Sequence, residues 1–298
     1  MTPFLTVFTP SYNRAYILPQ LYESLCRQSC KDFVWSVVDD GSTDDTEALV
    51  RAWEEEKRIA VRYHKQPNGG KMRAHNAGVR QCDTPLFVCV DSDDFVPDDF
   101  VASVASRWPE IQAEEKLAGC IAYRAFRDDK GEFRPKSTFP AKRTSSLGGL
   151  YAQGFAGDTT LVFKTAVLKH YPFLEVEGEK FSSEAYAYDQ IDQEYRYLLV
   201  REAWILCTYL PDGYTRDEDA LYARNPKGCA IYYNQKARFT YSWLSKEKLG
   251  YGISYMIYAR RAGMKGIWRQ SALKTPFYPL FWLLSYYYEW KWKEKYPR

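Results

Sequence analysis

The chain has 298 residues, 46% of them apolar and 27% charged, so it can bury a large core and does not read as disordered. Seven scattered cysteines without a CxxC pair, and only three histidines, argue against a disulfide framework and a zinc site and fit a reduced, cytoplasmic protein. The formal charge of +3 conceals an asymmetry: residues 224–298 carry 15 Lys+Arg against 3 Asp+Glu, the preceding residues 26 against 35.

The first hundred residues read as alternating strands and helices. "FLTVFT" (4–9) is a short β-branched run, and "YILPQLYESLCRQ" follows with Ile17, Leu18, Leu21 and Leu25 at helical spacing and Pro19 near its start. "FVWSVV" (33–38) predicts a second strand, and "TDDTEALVRAWEEE" a helix with acids in its first turn, where the helix dipole favours them. "IAVRYH" (59–64), the helix "KMRAHNAGVRQ" and the strand "LFVCV" (86–90) complete the pattern. Such alternation predicts a parallel sheet covered on both faces, with ligands bound at the carboxyl ends of its strands. A polar cluster falls at each of those ends: "PSYNR", "DDGS", "NGGK" and "DSDD".

Beyond residue 115 the pattern changes. "AGCIAYRAF" and "DDKGEF" predict an antiparallel hairpin with a Lys-Gly turn. "TTLVFKTAVLKHY" reads as a strand running into a helix, "SEAYAYDQIDQEYRYLLV" as helix and "AWILCTYL" as a strand. From Asn225 the chain is basic, aromatic and mostly helical. We expect a domain over 1–222, divided into halves at 1–110 and 111–222, and an extension over 223–298. The N-terminal stretch lacks the basic region and cleavage site of a signal peptide.

The motifs narrow the chemistry. Neither GxGxxG nor GxxxxGK[ST] is present, which disfavours a dinucleotide-binding dehydrogenase and a P-loop NTPase. Asp39 and Asp40 end the second strand; Asp40 is expected to point outward toward a base or ribose, while Gly41 to Asp44 cap the next helix. In "PNGGKMRAHN" the glycine amides, a helix start and Lys71 suit a phosphate, although Gly-Gly alone is only a turn. "DSDD" (91–94) places carboxylates where they can hold a hard divalent cation such as Mg²⁺ or Mn²⁺ and leave positions for substrate phosphates. The same acids also read as turn and cap residues.

Taken in order, "FTPSYNRAYILPQLYESLCRQ", "DFVWSVVDDGSTDDT", "NGGKMRAHNAG" and "FVCVDSDD" resemble the family-2 glycosyltransferases. The resemblance implies the GT-A nucleotide-sugar-binding fold: an α/β architecture, a mostly parallel central sheet with helices on both faces, here with a helical, aromatic-rich C-terminal extension. It implies inverting transfer from a nucleoside-diphosphate sugar, most often a UDP-sugar, with Mn²⁺ or Mg²⁺ as cofactor. Carried onto this chain, the donor site comprises Pro10, Tyr12, Asn13, Arg14, Asp40, Lys71, Asn76, Asp91, Ser92 and Asp93. Asp93 is the metal ligand, with Asp94 a possible second, and Asp94 and Asp158 face the acceptor. The family's base is the Asp of a Glu-Asp pair, but "SSEAYAYD" has Ala185 there, so the catalytic carboxylate falls to Glu184, with Asp189 and Asp158 as alternatives.

The acceptor expected is a saccharide or lipid-linked saccharide of surface polysaccharide or lipopolysaccharide assembly. The near-apolar run from Pro276 to Trp290 is too short to span a bilayer, yet rich in Trp and Tyr and followed by Lys291, Lys293, Lys295 and Arg298. With Arg260, Arg261, Lys265, Arg269 and Lys274, it suggests an anionic membrane surface, at the inner face of a plasma membrane. The plain alternative is a helix packed on the body or on a second copy in a homo-oligomer. No nucleic-acid-binding motif accompanies the charge. A non-catalytic nucleotide-sugar-binding protein and a nucleotidyltransferase are the competing functions.

Overall fold

A computed structural model describes residues 3–208, 218–240, 245–273 and 278–295. In chain order the elements are β1 (Leu5–Ser11), α1 (Leu18–Cys26), β2 (Phe33–Asp39), α2 (Thr46–Glu56), β3 (Ala60–Lys65), α3 (Lys71–Gln81), β4 (Leu86–Cys89) and α4 (Phe100–Ala113). Then come β5 (Leu117–Arg127), β6 (Phe133–Arg134), β7 (Thr144–Ser145), α5 (Leu147–Ala152), β8 (Thr159–Lys164), α6 (Thr165–His170), α7 (Ala185–Glu194) and β9 (Arg196–Cys207). The last are α8 (Glu218–Arg224), α9 (Pro226–Phe239), α10 (Lys246–Arg261), α11 (Ile267–Gln270) and α12 (Tyr278–Lys295). Two compact units result, one of Met1–Pro172 with Ala187–Arg216, the other of Phe173–Tyr186 with Asp217–Arg298.

The first unit is built on one sheet of order β3-β2-β1-β4-β8-β5-β9-β7, with β6 paired to β5. β3, β2, β1 and β4 run parallel, as the strand–helix alternation predicts. β8 lies antiparallel to both β4 and β5, and β9 parallel to β5, so the distal half is mixed. Alternate residues of each strand feed opposite cores. Leu5, Val7, Trp35, Val37, Leu86 and Val88 pack with α1, α2 and α4, whereas Phe8, Val38 and Phe87 pack with α3 and α6. Helices therefore cover both faces.

One local reading changes, one holds and one element is new. The segment after Glu194 is not helical: Arg196–Cys207 is one strand, because the buried run Tyr197–Val200 satisfies its backbone against β5. The hairpin at 126–134 forms, with Phe126 opposite Arg134 and the Asp128 amide donating to the Glu132 carbonyl. Helix α4, which follows "DSDD", had no forecast; Phe100, Val101, Val104 and Ile111 bury one of its faces.

The second unit has its own core of Ala230, Tyr255, Met256, Ala259, Leu273 and Tyr278. It also claims Phe173–Tyr186, although the sequence suggests a division near 222. Local bonds explain the capture: the Glu179 carboxylate accepts from the Lys227 and Gly228 amides, both at 2.7 Å, capping α9. The Asn225 carbonyl oxygen Oδ1 accepts from the Lys180 and Phe181 amides.

Candidate active site

The four polar loops do meet at the carboxyl ends of β1 to β4, and hydrogen bonds join them in sequence. The loops after β1 and β2 are stitched together: the Asn13 amide donates to Ser42 Oγ (2.8 Å), and Asn13 Oδ1 accepts from the Thr43 amide (2.8 Å). Asn13 sits at φ 54°, a left-handed conformation that Asn tolerates. Gly41, at φ 85°, lets the chain pass so close to Asn68 that a Cβ would lie 2.8 Å from its amide nitrogen.

Asp40 joins the second loop to the third, and in doing so overturns its expected orientation. It does not point outward; it is buried, and its carboxylate is filled by the β3–α3 loop. Oδ1 accepts from Gln66 Nε2 (2.7 Å) and the Gly69 amide (2.9 Å). Oδ2 accepts from the Gly70 amide (2.7 Å) and Asn68 Nδ2 (3.1 Å). The glycine amides read as a phosphate cradle are thus spent on Asp40, whose negative charge fixes the turn that starts α3. Gly70 is at φ 93°, where a side chain would be strained.

Lys71 is the first residue of α3, and its Nζ lies 2.8 Å from Asp91 Oδ1, tying the third loop to the fourth. The other side of Asp91 is held by a residue that belongs to none of the sequence motifs. Arg124, on β5, places Nη1 3.4 Å from Asp91 Oδ2 and 3.0 Å from Asp94 Oδ2. The available signal was an arginine inside the apolar run "AGCIAYRAF", since a charge on a buried strand demands a partner.

The three aspartates therefore differ. Burial works to raise the Asp91 carboxyl, but the Lys71 ammonium and the Arg124 guanidinium outweigh it and hold the group well below the usual carboxylate range. Burial raises Asp94, to about 7, against the pull of Arg124. Asp93 is raised by burial and by the charge of Asp91. Among the described residues no cation forms an ion pair with Asp93, so of the three it is the carboxylate left for an added cation. Two backbone bonds between Phe95 and Leu206 fasten the end of this loop to β9.

A match to a family model now identifies the arrangement: residues 6–171, more than half of the chain, match Glycosyl transferase family 2. The chain belongs to that family. Among curated relatives, validoxylamine A glucosyltransferase of Streptomyces hygroscopicus subsp. jinggangensis is 34% identical over 124 residues, 41% of this chain and 29% of that protein. The GalNAc(5)-diNAcBac-PP-undecaprenol beta-1,3-glucosyltransferase of Campylobacter jejuni is 28% identical over 178 residues, 58% of this chain and 55% of that protein. The chain spans less than a third of the first two curated relatives it matches. Among solved structures, S. aureus TarS 1-349 in complex with UDP-GlcNAc superposes with a TM-score of 0.59 at 18% identity, over 94% of this chain and 79% of that one. The mannosyltransferase PcManGT of Pyrobaculum calidifontis, in complex with GDP-Man and Mn²⁺, gives 0.55 at 18% identity, over 96% and 85%. These likenesses establish the GT-A type of fold for this family-2 chain.

The remaining forecast residues of this glycosyltransferase-family chain fall as follows. Pro10 is half-buried in β1 opposite Val38, and Tyr12 is half-exposed in the loop beyond it. The Arg14 guanidinium donates to Tyr16 Oη (2.7 Å) and its charge reaches Asp93. Asn76 is buried on α3 and Ser92 in the acidic loop. Asp94, expected at the acceptor, is buried against Arg124. Asp158 is exposed just before β8; its carbonyl accepts from the Arg124 amide (3.2 Å), which sets it beside the ion-pair cluster. Tyr151 Oη donates to the carbonyl of Gly157 (3.2 Å), leaving a half-exposed ring next to Asp158, another feature that no motif marked. Glu184 stands in the turn before α7, in the second unit, and Asp189 lies on α7 within the first. Among the described residues no group of three His, Cys, Asp or Glu side chains forms a metal cage. A single carboxylate at Asp93 still fits Mg²⁺ or Mn²⁺ bound jointly with substrate phosphates.

Proposed function

We propose that this chain is an inverting, metal-dependent glycosyltransferase that moves a sugar from a nucleoside diphosphate, a UDP-sugar by preference, to a hydroxyl of a saccharide or lipid-linked saccharide. One observation carries the reading: the chain of contacts from Asp40 through Gly70 and Lys71 to Asp91, Arg124 and Asp94, which leaves Asp93 without a cationic partner among the described residues. A polyanion with its counter-ion fits such a rim, and a purely structural role would not require Asp93 to stay unpaired.

Asp93 would hold Mn²⁺ or Mg²⁺, and the ion would neutralise charge on the diphosphate leaving group. Lys71, at the positive end of α3, orients the diphosphate by exchanging its bond to Asp91 for one to a phosphate oxygen. Arg124 holds Asp91 ionised and anchors Asp94 beside it, so that the rim keeps its shape when Lys71 moves. Tyr12, half-exposed beyond Pro10, supplies a face for the base. The acceptor hydroxyl attacks the anomeric carbon opposite the leaving group and loses its proton to a carboxylate, which we assign to Glu184 with Asp189 as the alternative. Membership of the family and the relatives named as glucosyltransferases support transfer. The undecaprenol-linked substrate in the name of the Campylobacter protein supports a lipid-linked acceptor.

Calorimetric titration with UDP in the presence of Mn²⁺, repeated with chelator, tests the donor site. We expect Asp93→Asn to abolish the difference between the two; equal affinities in the unaltered protein would remove the metal from the reading. UDP release with Glu184→Gln and Asp189→Asn decides the base. Ala185 at the start of α7, where a second acid is expected, favours a non-catalytic binder as the competing reading. Turnover by the purified protein would exclude it.

A further inference from the structure

The second unit carries a surface that the nucleotide site does not explain. α12 presents two different faces. Tyr278, Phe281, Trp282, Ser285 and Glu289 turn inward onto α10. Arg260 spans this seam: it bonds Ser285 Oγ (2.5 Å) and Glu289 Oε2 (2.8 Å), and its guanidinium lies 3.9 Å from the Tyr286 ring centroid. Arg261 adds a bond to Glu289 Oε1 at 3.1 Å. Those two arginines hold the Glu289 carboxyl below its ordinary range against the opposing effect of burial, so the acid is internally neutralised.

The outward face is the anomaly. Leu280, Leu283, Tyr286, Tyr287 and Trp290 fall within an arc of about 120° at helical spacing. All are half-exposed or more, Leu283 at 67% and Trp290 at 59%. A solvated helix face ordinarily carries charges, yet between Tyr278 and Tyr288 there is none, and the next residue, Glu289, points inward. Lys291 then stands exposed at the edge of the stripe. α12 has 18 residues, about 27 Å of helix. Among the described residues no helix is long and apolar enough to cross a membrane. Lys274 and Arg298, and the side chains of Lys293 and Lys295, lie outside the described residues.

We propose that the outward face of α12 rests flat on an anionic lipid bilayer. The choice of occupant follows from charge and composition together. Residues 224–298 hold 15 Lys+Arg against 3 Asp+Glu, so a bilayer of anionic headgroups is the complementary surface, whereas a second copy would bring like charge against like. Tyr and Trp at the stripe suit the boundary between headgroups and acyl chains, where an amphipathic ring keeps its polar edge wet. The Arg260–Glu289–Arg261 lock sets the rotation of α12 about its axis, so the stripe is held outward before any surface is met.

Flotation of the full chain with vesicles tests this. With vesicles of phosphatidylglycerol and phosphatidylcholine in equal parts, we expect most of the protein to float at low salt. Recovery falls at high salt and with phosphatidylcholine alone. The double substitution Leu283→Glu with Trp290→Glu reduces binding about tenfold or more, while circular dichroism and thermal unfolding match the parent because both side chains are exposed. Equal flotation of parent and variant, or no flotation of the parent, overturns the proposal. So does a parent dimer in light scattering that the variant dissolves without any vesicle binding, because the stripe would then be an interface between copies.

Discussion

Substituting Asp40→Asn separates two accounts of one residue. If Asp40 reads the nucleoside, the loss is in binding; if it anchors the β3–α3 loop, the loss is first in stability. The buried carboxylate accepts four bonds, from Gln66, Asn68, Gly69 and Gly70. An amide keeps one acceptor oxygen and turns an NH₂ group toward the donors on the other side. Two bonds are lost and at least one buried backbone N–H faces another donor. Bonds to a charged acceptor are worth about 1.5–3 kcal/mol each, so the expected destabilisation is about 3 kcal/mol or more. For a body of this size that is a fall in Tm of about 6–12 °C. Urea unfolding at neutral pH measures the first figure and calorimetry the second. Nucleotide affinity is then measured at a temperature where the variant remains folded, and it falls about tenfold because Lys71 follows directly on the released loop. A variant as stable as the parent, within about 0.5 kcal/mol, that has nonetheless lost nucleotide binding would refute the anchoring role and restore Asp40 to direct contact.

Three further expectations rest on other residues. Arg124→Met leaves the buried Asp94 and the half-buried Asp91 without their shared cation and costs about 3 kcal/mol in urea unfolding; adding Asp94→Asn recovers part of it, and strict additivity of the two changes would count against the pairing. His75 is buried between Phe8 and Phe87, and burial, with help from the Lys71 charge, lowers its pKa to about 3. The unfolded chain takes up a proton at His75 below about pH 6.5 and the native one does not, so the His75 contribution to stability falls as pH drops from about 6.5 toward 3, while the raised Asp94 works in the opposite sense. Between pH 7 and 5 the His75 contribution falls by about 2 kcal/mol, read as the difference in pH slope between the parent and His75→Gln; the same slope in both would contradict it. Tyr151→Ala raises the acceptor KM about tenfold through lost ring stacking and spares the donor KM, whereas Tyr151→Phe stays near the parent; equal effects on both KM values would remove Tyr151 from the acceptor side.

The parallel half of the sheet was legible because each of its strands is a short apolar run closed by a polar turn, and both signals are local. The strand Arg196–Cys207 was not, since "EYRYLLV" continues a helical pattern and only the pairing with β5 decides against it. The same distinction separates the candidate site residues. Asp91, Asp93 and Lys71 declare themselves by position at a strand end or helix start. Arg124 acts 30 residues beyond the acid it holds, and its significance exists only once β5 is laid beside β8 and β8 beside β4. Asp40 shows the converse error. Its place at a strand end was read correctly, but the direction of its side chain depends on donors 26 to 30 residues away.

Three aspartates within four residues need not share one purpose, and the distribution of cations around them sorts their roles. Asp91 has Lys71 on one oxygen and Arg124 on the other, and Asp94 shares that arginine. The two close cations are thus spent on Asp91 and Asp94, and among the described residues no ion pair reaches Asp93, where burial and Asp91 oppose ionisation and Arg14 and Lys71 favour it only through space. An added divalent ion would relieve that opposition, and the phosphates of a donor would in turn balance the ion together with Lys71. The loop is therefore short of close positive charge as it stands, and under the proposed function donor and ion together would bring it close to neutral. Binding of nucleotide and metal should accordingly be mutually reinforcing, each raising the affinity of the other by the same factor. Titrating Mn²⁺ into the protein with and without UDP, and UDP with and without Mn²⁺, measures that factor twice. Metal affinity that UDP leaves unchanged would mean that the charge on Asp93 is balanced by the protein alone, and the division of labour among the three aspartates would fail with it.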